Sequence, residues 1–179
     1  MIAACVVKLS GFQLEAKVSA RTTHIVSNGP RRTLNMLKGI ARGCWILTQD
    51  WVLNSLEAGK WLPEEAFEMK DFSPAVTQCR VERECLGPGY RLDLFKSCGP
   101  MLIAKHSKPP AEDLKELVQL CGGQIAKSVT DADIAIGATV RNQRIKCLSE
   151  KWILNSVTQS SIQPTNEYIL ERRQSNCVG

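Results

Sequence analysis

Apolar residues fall at helical spacing in the second half of the chain, where Leu114, Leu117, Val118 and Cys121 mark one face of "PPAEDLKELVQLCGG". Prolines at the entry, acids in the first turn and glycines at the exit delimit that helix. Around it, "PMLIA", "QIAKSV", "ADIAIG" and "IKCLS" are short apolar runs of strand length, and "EKWILNSVTQ" reads as a closing helix behind a Ser149 cap. The first half follows nearly the same order. "IAACVVKLSG" predicts a helix, "FQLEAKV" and "TTHIVS" predict strands, "CWILT" another strand, and "DWVLNSLEAG" the last helix. An additional helix, "PRRTLNMLKGIARG", is expected between the last two strands, where the second half has only "ATVRNQR". Alternating short strands and helices imply parallel sheets in small α/β sandwiches.

This order is a repeat in the sequence itself. Sliding Ile46–Met69 onto Cys147–Leu170 without a gap gives six identities in 24 positions: Leu47/Leu148, Trp51/Trp152, Leu53/Leu154, Asn54/Asn155, Ser55/Ser156 and Pro63/Pro164. Two copies of one unit are therefore expected, at 1–69 and 99–179, joined by a connector at 70–98 whose Gly, Pro, Ser and mixed charges suggest exposure. Aligning "KLSGFQL" with "QLCGGQI" places a strand before the helix of the second copy and none before that of the first. On that alignment the first copy starts one strand late. Trp51 and Trp152 are expected in the two cores, and His24 as a hydrogen-bonded structural imidazole.

Composition narrows the function classes. At 179 residues, 44% apolar and 23% charged, the chain is ordinary for a globular protein, and no apolar run approaches the roughly 18 residues of a membrane span. Eight cysteines show no C-x-x-C spacing and only two histidines could join them, so neither a metal nor any other cofactor is expected. Several cysteines sit in apolar runs, as reduced core thiols do. Two histidines without acidic sequence neighbours and no Gly-rich phosphate loop argue against an enzyme.

Charge is placed unevenly. The net charge is +5, yet between Ala16 and Gln49 there is no acidic residue, while Lys17, Arg21, Arg31, Arg32, Lys38 and Arg42 contribute six positive charges. Such a run favours an anionic partner. With Pro30 at a first helical turn, unpaired amides would face that anion. Arg31, Asn35, Lys38 and Arg42 would share one helix face with Arg32 beside it, whose planar fork suits a carboxylate or phosphate.

The helix tryptophans in "DWVLNS" and "KWILNS", the segment "GIARGCWILT", the strand "TTHIVS" and the glycine pair in "QLCGG" resemble a tandem pair of BRCT domains. The resemblance implies an α/β fold of two repeats, each a small parallel four-stranded sheet flanked by helices, the first lacking its initial strand. It implies a non-catalytic adaptor in which the first repeat holds a phosphate and the groove between repeats takes the residue three positions later. By position, Arg32 corresponds to the family's peptide-binding arginine, and Asn35 to a phosphate-binding lysine that this chain lacks. Arg31 lies beside them, and Leu37 and Pro109 correspond to the groove. The Ser/Thr and glycine that complete the family's phosphate grip follow the strand that is missing here. The partners so implied are phosphoserine tails with a tyrosine three residues on, such as the modified histone tail at DNA breaks. The implied setting is the DNA-damage response, chromosome condensation and cell-cycle control, in the nucleus and at the centrosome. Two other readings remain open: a direct DNA or polyanion binder using the basic run, and a phosphate-independent docking module.

Overall fold

A computed structural model describes residues 2–171 and divides the chain into two compact units, Met1–Arg91 and Leu92–Gly179. The first unit contains α1 (Ile2–Leu9), β1 (His24–Ser27), α2 (Leu34–Ala41), β2 (Trp45–Thr48), α3 (Asp50–Ala58) and α4 (Pro74–Leu86). β1 and β2 run parallel, with His24 opposite Trp45 and Ser27 opposite Thr48. Cys5 and Val6 of α1 pack with Leu47, Trp51 and Val52 into one apolar cluster.

The expected strand "FQLEAKV" does not form. Its counterpart in the second unit explains why: Ile125 there makes a parallel bridge to Met101, on the first strand of that unit's sheet. A strand exists only as a partner in a ladder. With no strand between it and β1, the stretch from Phe12 to Val18 has nothing to pair with, and no backbone hydrogen bond joins it to β1.

The connector is also not what composition suggested. Within 70–98 lies the 13-residue α4, capped by Ser73, whose hydroxyl accepts from the Ala75 amide at 3.1 Å, with Pro74 at the first helical position. Ala75, Val76, Cys79 and Arg80 are buried. The Ser-Pro start and the spacing of Val76, Cys79 and Arg80 were the available signals. They were masked by the charged residues of the exposed face.

The second unit contains β3 (Met101–Ile103), α5 (Ala111–Leu120), β4 (Ile134–Ile136), β5 (Lys146–Leu148) and α6 (Lys151–Gln159). Its sheet is parallel in the order β3-β4-β5. The expected fourth strand, "QIAKSV", is reduced to the single bridge at Ile125. Ahead of α6 the cap position is Glu150, and the Ser149 hydroxyl accepts from the Lys151 amide at 3.3 Å. Among the described residues no helix is long and apolar enough to cross a membrane.

The repeated residues do the same work in each unit. Trp51 Nε1 donates to the Leu62 carbonyl and Trp152 Nε1 to the Gln163 carbonyl, both at 2.8 Å. Ser55 Oγ accepts from the Leu62 amide at 3.0 Å, and Ser156 Oγ from the Gln163 amide at 3.1 Å. Tryptophan and serine on each helix thus tie down the chain that follows it. Both tryptophans and both serines are buried. Asn155 Nδ2 donates to the Tyr168 hydroxyl at 2.8 Å.

Candidate functional site

The expected site gathers at the amino end of α2, and its local structure differs from the simple helix read from sequence. The helix begins at Leu34, not Pro30. Thr33 is the cap: its side chain accepts from the Met36 amide at 3.2 Å. A capping hydroxyl satisfies a helix amide that proline at the first position would leave open. Upstream, the Arg31 amide donates to the Gly29 carbonyl at 2.8 Å and the Thr33 amide to the Arg31 carbonyl at 2.9 Å. The amides of Arg31 and Thr33 are therefore turned back on the chain rather than outward.

This geometry redistributes the basic residues. Arg31 and Arg32 lie ahead of the helix and are exposed, and Asn35 is exposed in its first turn. The shared face expected of Arg31, Asn35, Lys38 and Arg42 does not form. Lys38 is buried, and Arg42, the residue that caps the far end of α2, is half-buried with its Nε enclosed. Arg21, also in the basic run, pairs with Glu15 at 3.1 Å on the surface. What remains beside the start of α2 is Arg31, Arg32 and Asn35 within five positions.

Asn35 reaches toward the stretch that failed to become a strand: its Nδ2 lies 3.5 Å from the Ala16 carbonyl. Beside this contact opens a cavity of about 770 Å3. Lys17, Ser27, Asn28 and Thr33 line it together with Asn35. None of these four is a site residue in the sequence reading, because local pattern does not show which side chains line a cavity. Ser27 Oγ donates to the Gly29 carbonyl at 2.7 Å, which shapes the turn leading to Arg31.

Aromatic rings line another part of the same cavity. Phe12 meets His24, Trp51 and Trp61 edge-on, at centroid distances of 4.8, 5.6 and 4.8 Å. His24 stacks on Trp51 with an interplanar angle of 7° and lies 3.3 Å from a Glu64 oxygen. Burial lowers the imidazole pKa, opposed by the hydrogen bond and charge of Glu64. A stacked, partly buried ring with one carboxylate neighbour is a structural histidine, as its strand position suggested.

Leu37 is 1% exposed on α2. Pro109 belongs to the second unit and is half-buried. It lies ahead of α5, not within it as expected: Pro110 is the cap and the helix begins at Ala111. Among the described residues no group of three or more His, Cys, Asp or Glu side chains could hold a metal ion.

Comparison with known proteins agrees with this architecture. Residues 6–56 match the BRCA1 C Terminus (BRCT) domain family. Human microcephalin is 44% identical over 167 residues, which is 92% of this chain and 20% of microcephalin. Mouse microcephalin is 46% identical over 164 residues, 90% of this chain and again 20% of the relative. The chain thus spans about a fifth of the length of these relatives. Among solved structures, the complex of Rtt107p with a phosphorylated histone matches with a TM-score of 0.66 at 10% identity, covering 92% of this chain and 83% of that one. Two small parallel α/β units, each closed by a tryptophan helix, together with these sequence matches, place the chain in the BRCT family as a tandem pair similar to microcephalin.

Proposed function

We propose that the chain is a non-catalytic adaptor that binds phosphorylated protein tails at the amino end of α2. The observation that carries this reading is the exposed Arg31–Arg32 pair directly ahead of a capped helix whose first turn presents Asn35, in a 34-residue stretch free of acids. Guanidinium forks and an amide give charged and neutral donors for oxyanions. Arg32 takes the carboxylate at the end of the tail or the peptide main chain, Asn35 hydrogen-bonds the phosphate, and Arg31 adds charge. Asn35 donates without charge, so the phosphate is held less tightly than by a lysine. Leu37 is enclosed in the core of the first unit, so this reading gives it no contact with the tail.

The 44–46% identity to microcephalin supports placing the adaptor in the DNA-damage response, with chromosome condensation and cell-cycle control as further settings. It works in the nucleus, and its centrosomal role is part of the same proposal. A phosphorylated histone, the partner named for the Rtt107p complex, is the class of tail to try first.

Binding of a phosphoserine peptide ending in tyrosine, compared with its unphosphorylated form, tests the reading. The phosphate is expected to contribute about 1–3 kcal/mol. Arg32→Ala abolishes binding without changing thermal stability, and Asn35→Lys strengthens it. Equal affinity of the Arg32→Ala variant sinks the assignment. Steep salt dependence with indifference to phosphorylation would instead identify a direct polyanion binder.

A further inference from the structure

We propose that Arg42 and Arg83 form a second oxyanion site on the first unit, at the far end of α2 from Arg32, and that it takes a phosphate group. α2 has eight residues, so its two ends lie about 12 Å apart. The two arginines come from different elements: Arg42 follows the last turn of α2, and Arg83 stands on α4. Gly43 lets them share one place. Arg83 Cβ and Cδ lie 2.7 and 3.2 Å from where a Cβ on Gly43 would be, so the side chain runs across the turn between α2 and β2. Beyond that turn Arg83 Nη1 donates to Cys44 Sγ at 3.5 Å. Burial raises the Cys44 pKa and the charges of Arg83 and Arg42 both oppose it, so both guanidiniums stand near one thiol.

Neither guanidinium has the partner its position would ordinarily supply. A cation at the end of a helix commonly serves the last carbonyls. Here backbone does so: the Lys38, Gly39 and Ile40 carbonyls accept from the amides of Arg42, Cys44 and Gly43 at 3.0, 2.9 and 2.9 Å. Arg42 Nε is enclosed and has no hydrogen-bond partner. On α4 the positions three and four away from Arg83 are Cys79, Arg80, Leu86 and Gly87, none of them an acid. The acids beside it are engaged elsewhere, Glu84 with Arg80 at 2.9 Å and Glu82 with Gln78 at 3.2 Å. Among the described residues no carboxylate pairs with Arg42 or Arg83.

Both residues are half-buried, so two like charges have lost part of their hydration and repel each other without a counter-ion. An anion between them relieves both costs. A phosphate group carries a charge of about −2, which matches two guanidiniums where one carboxylate would match only one. Its oxygens also suit two planar forks. A phosphate ester on a protein and the free ion present the same oxygens. The site contains none of Arg31, Arg32 and Asn35, so it stands or falls separately from the adaptor reading.

The test uses the full chain carrying Arg32→Ala, which silences the start of α2, and follows the Nε–Hε resonances of Arg42 and Arg83 by NMR. Inorganic phosphate is titrated at constant ionic strength against chloride, and an acetylated Gly-phosphoserine-Gly amide in parallel. The expected result is a saturable shift of both resonances with phosphate and none with chloride. Arg42→Gln and Arg83→Gln should each weaken binding at least about tenfold. Arg42→Lys and Arg83→Lys should fall between, since lysine keeps the charge and loses the fork. Tighter binding of the peptide assigns the site to a phosphorylated protein and tighter binding of the ion to free phosphate; either order upholds it. A shift that does not saturate, or that chloride reproduces, overturns the proposal. So does undiminished binding in both glutamine variants, with the lysine variant taking the place of any glutamine variant that fails to fold.

Discussion

Arg80 holds Glu68 through two nitrogens, Nε at 2.8 Å and Nη2 at 3.1 Å, with the Glu68 side chain fully enclosed. The Thr77 hydroxyl donates to the same carboxylate at 3.0 Å, and the guanidinium carbon lies 3.9 Å from the centre of the Trp45 ring. The hydrogen bond to Glu68 raises the Arg80 pKa, with its charge adding to the effect. α4 is therefore joined by a buried charge pair to Glu68, which itself bridges β2 at Leu47.

Arg80→Met strands the buried carboxylate and is expected to lower unfolding free energy by about 3–5 kcal/mol. The double variant Arg80→Met/Glu68→Leu should recover part of that loss, because no unpaired charge remains. Urea denaturation of the singles and the double gives the coupling. Additive losses would mean that the pair carries no interaction energy.

Ser55 and Ser156 make equivalent hydrogen bonds, so Ser55→Ala and Ser156→Ala should each cost about 1–3 kcal/mol through a stranded buried amide. Trp51→Ala and Trp152→Ala should each cost about 3–5 kcal/mol. Thermal melts that separate the two units should assign each loss to its own unit.

His24 predicts an acid-sensitive first unit. Its pKa lies below the ordinary 6.5 because burial disfavours the charged ring; nearby Arg83 adds to this and Glu64 opposes it. Below about pH 6.5 the unfolded chain takes up a proton that the folded one resists. Stability should therefore fall as pH drops from that value toward the depressed folded value. His24→Gln should flatten this part of the profile, measured by chemical denaturation between pH 7 and pH 5 (about the interval in which an imidazole titrates). A slope unchanged in the variant would exclude His24 as its source.

Gly43 turns the chain from α2 into β2 at φ +64°, and a Cβ there would come within 2.5 Å of the Cys79 carbonyl oxygen and 2.7 Å of Arg83 Cβ. Both neighbours belong to α4. Gly43→Ala is expected to destabilise the first unit by more than about 1 kcal/mol, from the left-handed backbone and the clash together. Gly59→Ala is a matched control, since φ there is +67° but nothing lies within 4 Å. Equal losses in the two would remove the contact with α4 from the explanation.

The sequence by itself determined the two-fold repeat, the tryptophan helices, β1, β2 and the parallel α/β class. These rest on local periodicity and on residues that do the same work twice, such as Trp51 with Trp152 and Ser55 with Ser156. It also located Arg31, Arg32 and Asn35 together, because their proximity is one of sequence. Tertiary structure decided the rest. Whether Phe12–Val18 became a strand depended on a neighbour that local pattern cannot supply. α4 became part of the first unit because Arg80 could bury its charge against Glu68 and Trp45, contacts that composition reads only as polarity. Lys38 is buried on α2 together with Met36, Leu37 and Ile40, because the packing around a helix, which local pattern does not show, decides how much of its circumference is enclosed.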